Sequence, residues 1–103
     1  VRESVIERYL VQQVKALGGE VRKVNWIGRR GAPDRLVMLP ARRLASTLDC
    51  AWCNPAGASI WVELKATGKT AEPHQVREHK RMRAMGQRVE VVDSFQRVDE
   101  VLS

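Results

Sequence analysis

Asp34, Glu63 and Lys65 are the residues of this chain whose types and order could do chemistry. Asp34 follows Pro33 at the start of one apolar run, and Glu63 and Lys65 flank Leu64 at the end of another. Two carboxylates with a lysine suggest metal-assisted cleavage of a phosphodiester. Such a bond resists attack because its oxygens are already negative, so a catalyst must hold a hard cation against them and supply a nucleophilic water. Mg²⁺ prefers oxygen ligands and is usually held by one or two carboxylates plus phosphate oxygens. Asp34 and Glu63 fit that demand. Taken singly the residues are bland, because an Asp after Pro is usually a turn residue and a Glu/Lys pair on a strand is usually an exposed ion pair of little energy. Their joint order is what carries weight.

The elements that must position them follow from periodicity. Side chains two apart on a strand share a face, so in the run from Ile60 to Lys65 the Glu63 and Lys65 side chains face one way with Trp61,. Ile60, Val62 and Leu64 face the other, toward a core. Val5, Ile6, Tyr9, Leu10, Val14 and Leu17 recur at helical spacing, predicting a first helix from Glu3 to Leu17 that Gly18-Gly19 ends,. Strands are expected at Glu20 to Trp26, Arg35 to Leu39 and Ile60 to Leu64, the first two separated by the turn-rich Gly28-Arg29-Arg30-Gly31-Ala32-Pro33,. A second helix from Pro73 to Met85 closes at Gly86, a strand spans Val89 to Val92, and Ser94 caps a terminal helix with Phe95, Val98, Val101 and Leu102 on its apolar side,. The order α-β-β-β-α-β-α implies an α/β fold with a mixed sheet flanked by helices, the first helix packed on it.

Gly31-Ala32-Pro33-Asp34, Glu63-Leu64-Lys65, the later Gln75 and an acid in the first helix together resemble the virus-type replication-repair nuclease (VRR-NUC) domain of the PD-(D/E)xK superfamily, over nearly the whole chain. The resemblance implies a restriction-endonuclease-like core. It also implies that Asp34 and Glu63 are ligands of Mg²⁺ or Mn²⁺, that the Leu64 carbonyl is a further ligand, that Lys65 positions water or stabilises charge at the phosphate, and that Gln75 supports the site. For the helix acid, Glu7 and Glu3 lie four apart on one helical side,. Glu7 is preferred by its offset from the Gly18 stop, which matches related junction-resolving nucleases; Glu3 is its competitor.

Charge points toward a polyanion. Lys and Arg number 18 against 12 Asp and Glu, a formal net charge of +6,. Arg29 and Arg30, in the glycine-flanked loop before Asp34, could hold phosphates or form a solvated turn; Lys23, Arg35 and Lys69 extend the expected DNA-binding footprint, followed by Arg77, Lys80, Arg81 and Arg83,. Trp26, beside the glycine loop, could stack against an open junction, although a tryptophan is more often core. His74 and His79 are expected at the surface of the second helix. The stretch around 40–59 reads as an irregular insertion with a short helical turn at Leu44 to Leu48, and Cys50-Ala51-Trp52-Cys53 within it is half of a zinc site at most, better taken as two ordinary thiols,.

A chain of 103 residues is expected to form one domain with a modest core, helped by homodimerisation through Trp52, Trp61 or the terminal helix,. A dimer would place two sites on opposite strands of a four-way junction. Without a long apolar span or a signal-peptide pattern, the chain is expected in the cytoplasm of a bacterial or phage-infected cell. The expected activity is therefore that of a metal-dependent, structure-specific DNA endonuclease, most naturally a Holliday junction resolvase. The alternatives are a sequence-specific restriction-type endonuclease and a non-catalytic basic DNA-binding module.

Overall fold

The fold is built around a four-stranded sheet in the order β1-β2-β3-β4. The computed structural model describes residues 1–41 and 57–103. The strands are β1 (Glu20–Lys23), β2 (Arg35–Leu39), β3 (Ala58–Leu64) and β4 (Val89–Val92), and the helices are α1 (Glu3–Ala16), α2 (Pro73–Ala84) and α3 (Phe95–Leu102). β1 to β3 run antiparallel as neighbours, while β4 joins β3 in parallel after the α2 crossover, so the sheet is mixed. Leu44 to Leu48, Cys50, Trp52 and Cys53 lie outside the described residues.

Amphipathic periodicity explains the helix packing. On α1 the fully buried residues Ile6, Leu10 and Val14 recur every four positions, which is one face of a 3.6-residue helix. They meet Val98, Val101 and Leu102 of α3 and the inward side chains Val37, Ile60, Val62, Leu64 and Val92 of the sheet. Tyr9 and Leu17 pack against the edge of this core. Phe95 remains 40% exposed and stacks obliquely on Tyr9, with centroids 4.7 Å apart. Ser94 caps α3 as expected, its Oγ accepting the Arg97 N–H at 3.0 Å. At the end of α1 the Gly18 and Gly19 N–H groups donate to Lys15 and Val14, both at 2.9 Å, with Gly18 in the left-handed region at φ +84°. This satisfies carbonyls that the helix end would otherwise leave open.

Two strand boundaries and the cover of one sheet face differ from expectation. β1 stops at Lys23 rather than Trp26: the Val24 N–H still reaches the Asp34 carbonyl at 2.9 Å, but the Trp26 indole N–H then turns to the Pro33 carbonyl at 2.8 Å and closes the loop on itself. Ala58 and Ser59 are strand rather than insertion, because they pair with Leu39 and Met38. The face of β3 opposite the core is also covered: α2 lies over it and buries Met82, Glu78 and His79. Val89, at odd spacing from the inward Val92, is buried on that second face.

Gly31 fixes the loop before β2 against α2. It sits at φ +87°, and a Cβ there would lie 2.7 Å from the His74 carbonyl oxygen. An L-residue in that backbone region costs about 1–2 kcal/mol before any contact is counted. Gly31→Ala is therefore expected to destabilise the fold by about 2 kcal/mol or more, read as a lower urea midpoint with an unchanged slope. A midpoint equal to that of the parent would contradict this packing.

Candidate functional site

β2 and β3 bring the two acids together through their register. Arg35 pairs with Val62, so one antiparallel step further on Asp34 stands opposite Glu63. Glu63 takes the α2 face of the sheet, while the Asp34 carboxylate, one step beyond the last registered pair, sits at the sheet's end and also meets the Arg35 guanidinium,. Asp34 is exposed, held at the mouth of β2 by the bond from the Val24 N–H to its carbonyl. Glu63 is only 9% exposed. Lys65, two positions on and half-buried, is anchored by its N–H on the Val92 carbonyl at 2.9 Å. The β3–β4 ladder has Leu64 opposite Val92 as its last registered pair.

Burial dominates the chemistry of Glu63. Loss of water pushes its pKa from 4.5 up to about 7; Lys65 pulls it back, the charges of Asp34 and Glu3 push it further, and Arg35 pulls it back,. His79 closes the site from α2, its Nε2 lying 3.7 Å from Glu63 Oε1. That nitrogen has no hydrogen-bond partner among the described residues. His79 is not at the surface as expected but 1% exposed. Burial, then Arg83 and Lys65, hold it below its ordinary pKa, which favours the neutral imidazole. The bland alternative of an ordinary exposed Glu63–Lys65 ion pair does not hold, because Glu63 is buried beneath α2.

Glu63 gives a pH dependence of known sign. Its folded pKa lies above the unfolded value, so between pH 4.5 and about 7 the native chain binds more protons than the unfolded one. The contribution of Glu63 to stability with EDTA present should therefore fall as pH rises through that window, while His79, held below its ordinary pKa, contributes a slope of the opposite sign,. Urea melts on either side of the window would isolate the Glu63 slope as the difference between the wild-type chain and Glu63→Gln. An identical slope in the variant would assign it to other groups.

Arg35 is a residue that sequence reasoning placed incorrectly. Expected as part of the DNA-binding footprint, it is 8% exposed and points to the α1 side. Its NH2 donates to Glu7 Oε2 at 2.8 Å and its NH1 lies 3.1 Å from Asp34 Oδ1. Burial opposes its charge, but the hydrogen bond to Glu7 and the charges of Asp34 and Glu7 outweigh this and raise its pKa. The two candidate helix acids accordingly differ in how they reach the site: Glu7 meets Asp34 through the Arg35 guanidinium, whereas the charge of Glu3 acts on Glu63 directly. Among the described residues no three Asp, Glu, His or Cys side chains gather as a metal-binding group.

The remaining expected residues divide between structure and solvent. Gln75 accepts the Glu72 N–H at 2.8 Å through Oε1, so it caps its own helix, while Gly31 packs beside its Cα. Arg29 is tied by Nε to Glu78 Oε2 at 2.9 Å, and Arg81 reaches the same carboxylate at 3.2 Å. The Arg29 hydrogen bond leads in holding Glu78 below the usual carboxylate range despite its burial. Arg83 donates to the Val89 carbonyl at 2.7 Å. Arg30, Lys23 and Lys69 are exposed. Lys23, Asp34 and Arg35 line one cleft of about 310 Å³ together with Trp26.

No family model matches the chain. It is 43% identical over 94 residues, 91% of its own length and 85% of the relative's, to a protein of Acyrthosiphon pisum secondary endosymbiont phage 1 described as "Putative nuclease p44". A solved structure described as a VRR_NUC domain superposes with a TM-score of 0.75 at 36% identity, covering 99% of this chain and 96% of that one. Similar in sequence and in fold over nearly its whole length, the chain belongs to the VRR-NUC family.

Proposed function

We propose that the chain is a DNA endonuclease that hydrolyses phosphodiesters with Mg²⁺ or Mn²⁺ and acts on branched DNA, a four-way junction foremost, as a homodimer. The observation that carries this is the placement of Asp34 opposite Glu63, with Lys65 on the same face, at one end of the sheet. Family membership and the phage relative described as a nuclease support it.

The donor set suits a hard divalent cation. Two facing carboxylates are enough for an ion that takes its remaining ligands from water and phosphate. Glu63 is also buried against the cost of its own charge, and a carboxylate in that position is stabilised by a positive partner. Asp34 and Glu63 would hold the ion, joined by the Leu64 carbonyl and by Glu7 or Glu3 from α1. The ion, when bound, would supply a more acidic water and neutralise charge on the phosphate. Lys65 orients the attacking water or balances charge on the phosphate oxygens, and Arg35 holds Asp34 and Glu7 in place from beneath. Neutral His79 and the cover of α2 keep bulk water from the inner side of Glu63, and Arg30, Lys23 and Lys69 offer cations to the flanking strand.

Branch preference is tested by cutting. An end-labelled four-way junction, a flap and the linear duplexes that make up the junction arms are incubated with the wild-type chain and Mn²⁺. Paired nicks near the branch, with the linear arms cut at least tenfold more slowly, are expected. Cutting of linear duplex at one sequence would replace the junction resolvase by a restriction-type enzyme. Tight binding without cutting of any substrate would leave a binding module.

A further inference from the structure

A second cleft, of about 270 Å³, opens beside the acids on the α2 face of the sheet. Its walls are Trp26, Trp61, Met82 and Met85, and its polar groups are Gln87 and the Arg29 guanidinium, whose pairing with Glu78 offsets the charge of that carboxylate at the cleft wall. The two indoles are 5.2 Å apart at 49°, a tilted arrangement that leaves aromatic surface toward the cleft. Both are fixed by their N–H groups, Trp26 on the Pro33 carbonyl at 2.8 Å and Trp61 on Gln87 Oε1 at 3.2 Å. Met85 at the mouth is 66% exposed.

Trp26 is a common wall of this cleft and of the polar one that holds Lys23, Asp34 and Arg35. Trp61 is two positions before Glu63 on the same face of β3, about 7 Å away along a strand that rises ~3.3 Å per residue. An aromatic, methionine-lined slot therefore adjoins the acids within the span of one nucleotide. Its volume lies just below the ~300–1,000 Å³ of ordinary ligand pockets, which suits one planar heterocycle better than a length of polypeptide. The chain's charge of +6 also favours a polyanion over an acidic-poor peptide,.

We infer that the Trp26–Trp61 cleft takes an unstacked nucleobase of the DNA strand whose phosphate lies at Asp34 and Glu63, an inference that rests on the function proposed above. The base stacks on the indoles, as single-stranded bases do on aromatic side chains, and meets Gln87 and Arg29 at its edge. Extruding a base costs a few kcal/mol in intact duplex and least where pairing is already lost. The cleft thus selects branch points, where an open base is available, over continuous helix.

The test is a scan of abasic sites through the nucleotides around the branch of a labelled four-way junction, with binding measured by fluorescence anisotropy in EDTA and cleavage measured separately in Mn²⁺. In the wild-type chain, removal of one base beside the branch should weaken binding about tenfold, the size of a single base–aromatic stack. That dependence should shrink to less than twofold in Met85→Glu, which replaces apolar contact at the mouth with a carboxylate that a stacked base would have to desolvate, and in Trp26→Ala. Because Trp26 also secures the loop before Asp34, Met85→Glu carries the result if Trp26→Ala does not fold. The comparison is the ratio of intact to abasic DNA for each protein, so general repulsion by the new carboxylate cancels. No position with more than a twofold effect, or a sensitive position unchanged in both variants, would overturn the assignment. Cleavage retained with no base dependence would remove the cleft alone; base dependence without cleavage of any DNA would remove the nuclease and leave the cleft.

Discussion

Asp34→Asn and Glu63→Gln are each expected to slow junction cleavage by roughly 10²–10³-fold, the scale on which loss of one preorganised electrostatic group acts, while junction affinity in EDTA changes little. Both substitutions keep shape and remove one negative charge. Neither should unfold the chain, because Arg35 keeps its bond to Glu7 when Asp34 is neutral, and a neutral Glu63 side chain loses the burial penalty that raises its pKa. Lys65→Ala should show a comparable loss with a different signature. Higher Mn²⁺ should partly restore the two acid variants, whose defect is in holding the ion, and should not restore Lys65→Ala, whose defect is at the water and phosphate. Single-turnover cleavage across a Mn²⁺ titration makes the comparison. Acid variants that cut at the wild-type rate would dissolve the proposed site.

The largest effect on stability is expected in β3 itself. Ile60 is fully buried in the core shared by α1, α3 and the sheet, on the strand that carries Glu63 and Lys65. Ile60→Ala removes three carbons from a packed site and leaves a cavity, at a cost of about 3 kcal/mol. In a domain of this size that is a drop in melting temperature of about 12–24 °C, at ~4–8 °C for each kcal/mol. It is a large share of the ~5–15 kcal/mol that holds a domain together. Thermal and urea melts would measure it, and a loss below ~1 kcal/mol would mean that the core collapses around the deletion.

The sequence made most of the architecture legible because the strong signals were local. Helical spacing of Ile6, Leu10 and Val14, the stop at Gly18-Gly19, and the cap at Ser94 all reflect forces acting within a few residues,. Arg35 to Leu39 and Val89 to Val92 match their predicted bounds for the same reason. The facing of Asp34 and Glu63 follows from order plus register and was implicit in the motif.

What was obscure involved a second layer. Arg35 was assigned to the DNA-binding surface by its charge, although it shares parity with the inward Val37 and so belongs to the α1 side. Glu78 and His79 lie four and three residues before Met82, the one long apolar residue buried on α2, so they share its inward face. Their helical spacing from Met82 marks both as inward. Their polarity concealed this, since burial was achieved through partners distant in sequence, Arg29 for Glu78 and the Glu63 strand for His79. Trp61 met Trp26 for a similar reason: nothing local specifies a contact made by closing the Gly28 to Pro33 loop.

The most direct measurement is cleavage of an end-labelled four-way junction by the wild-type chain with Mg²⁺, Mn²⁺ or EDTA, with Asp34→Asn alongside. Nicks that need the divalent ion, appear in pairs near the branch, and slow by roughly 10²–10³-fold in Asp34→Asn while the DNA remains bound are the result expected from Asp34, Glu63 and Lys65 acting on a phosphodiester. A wild-type chain that binds the junction and leaves it intact with either ion, or cuts equally well in EDTA, would contradict it.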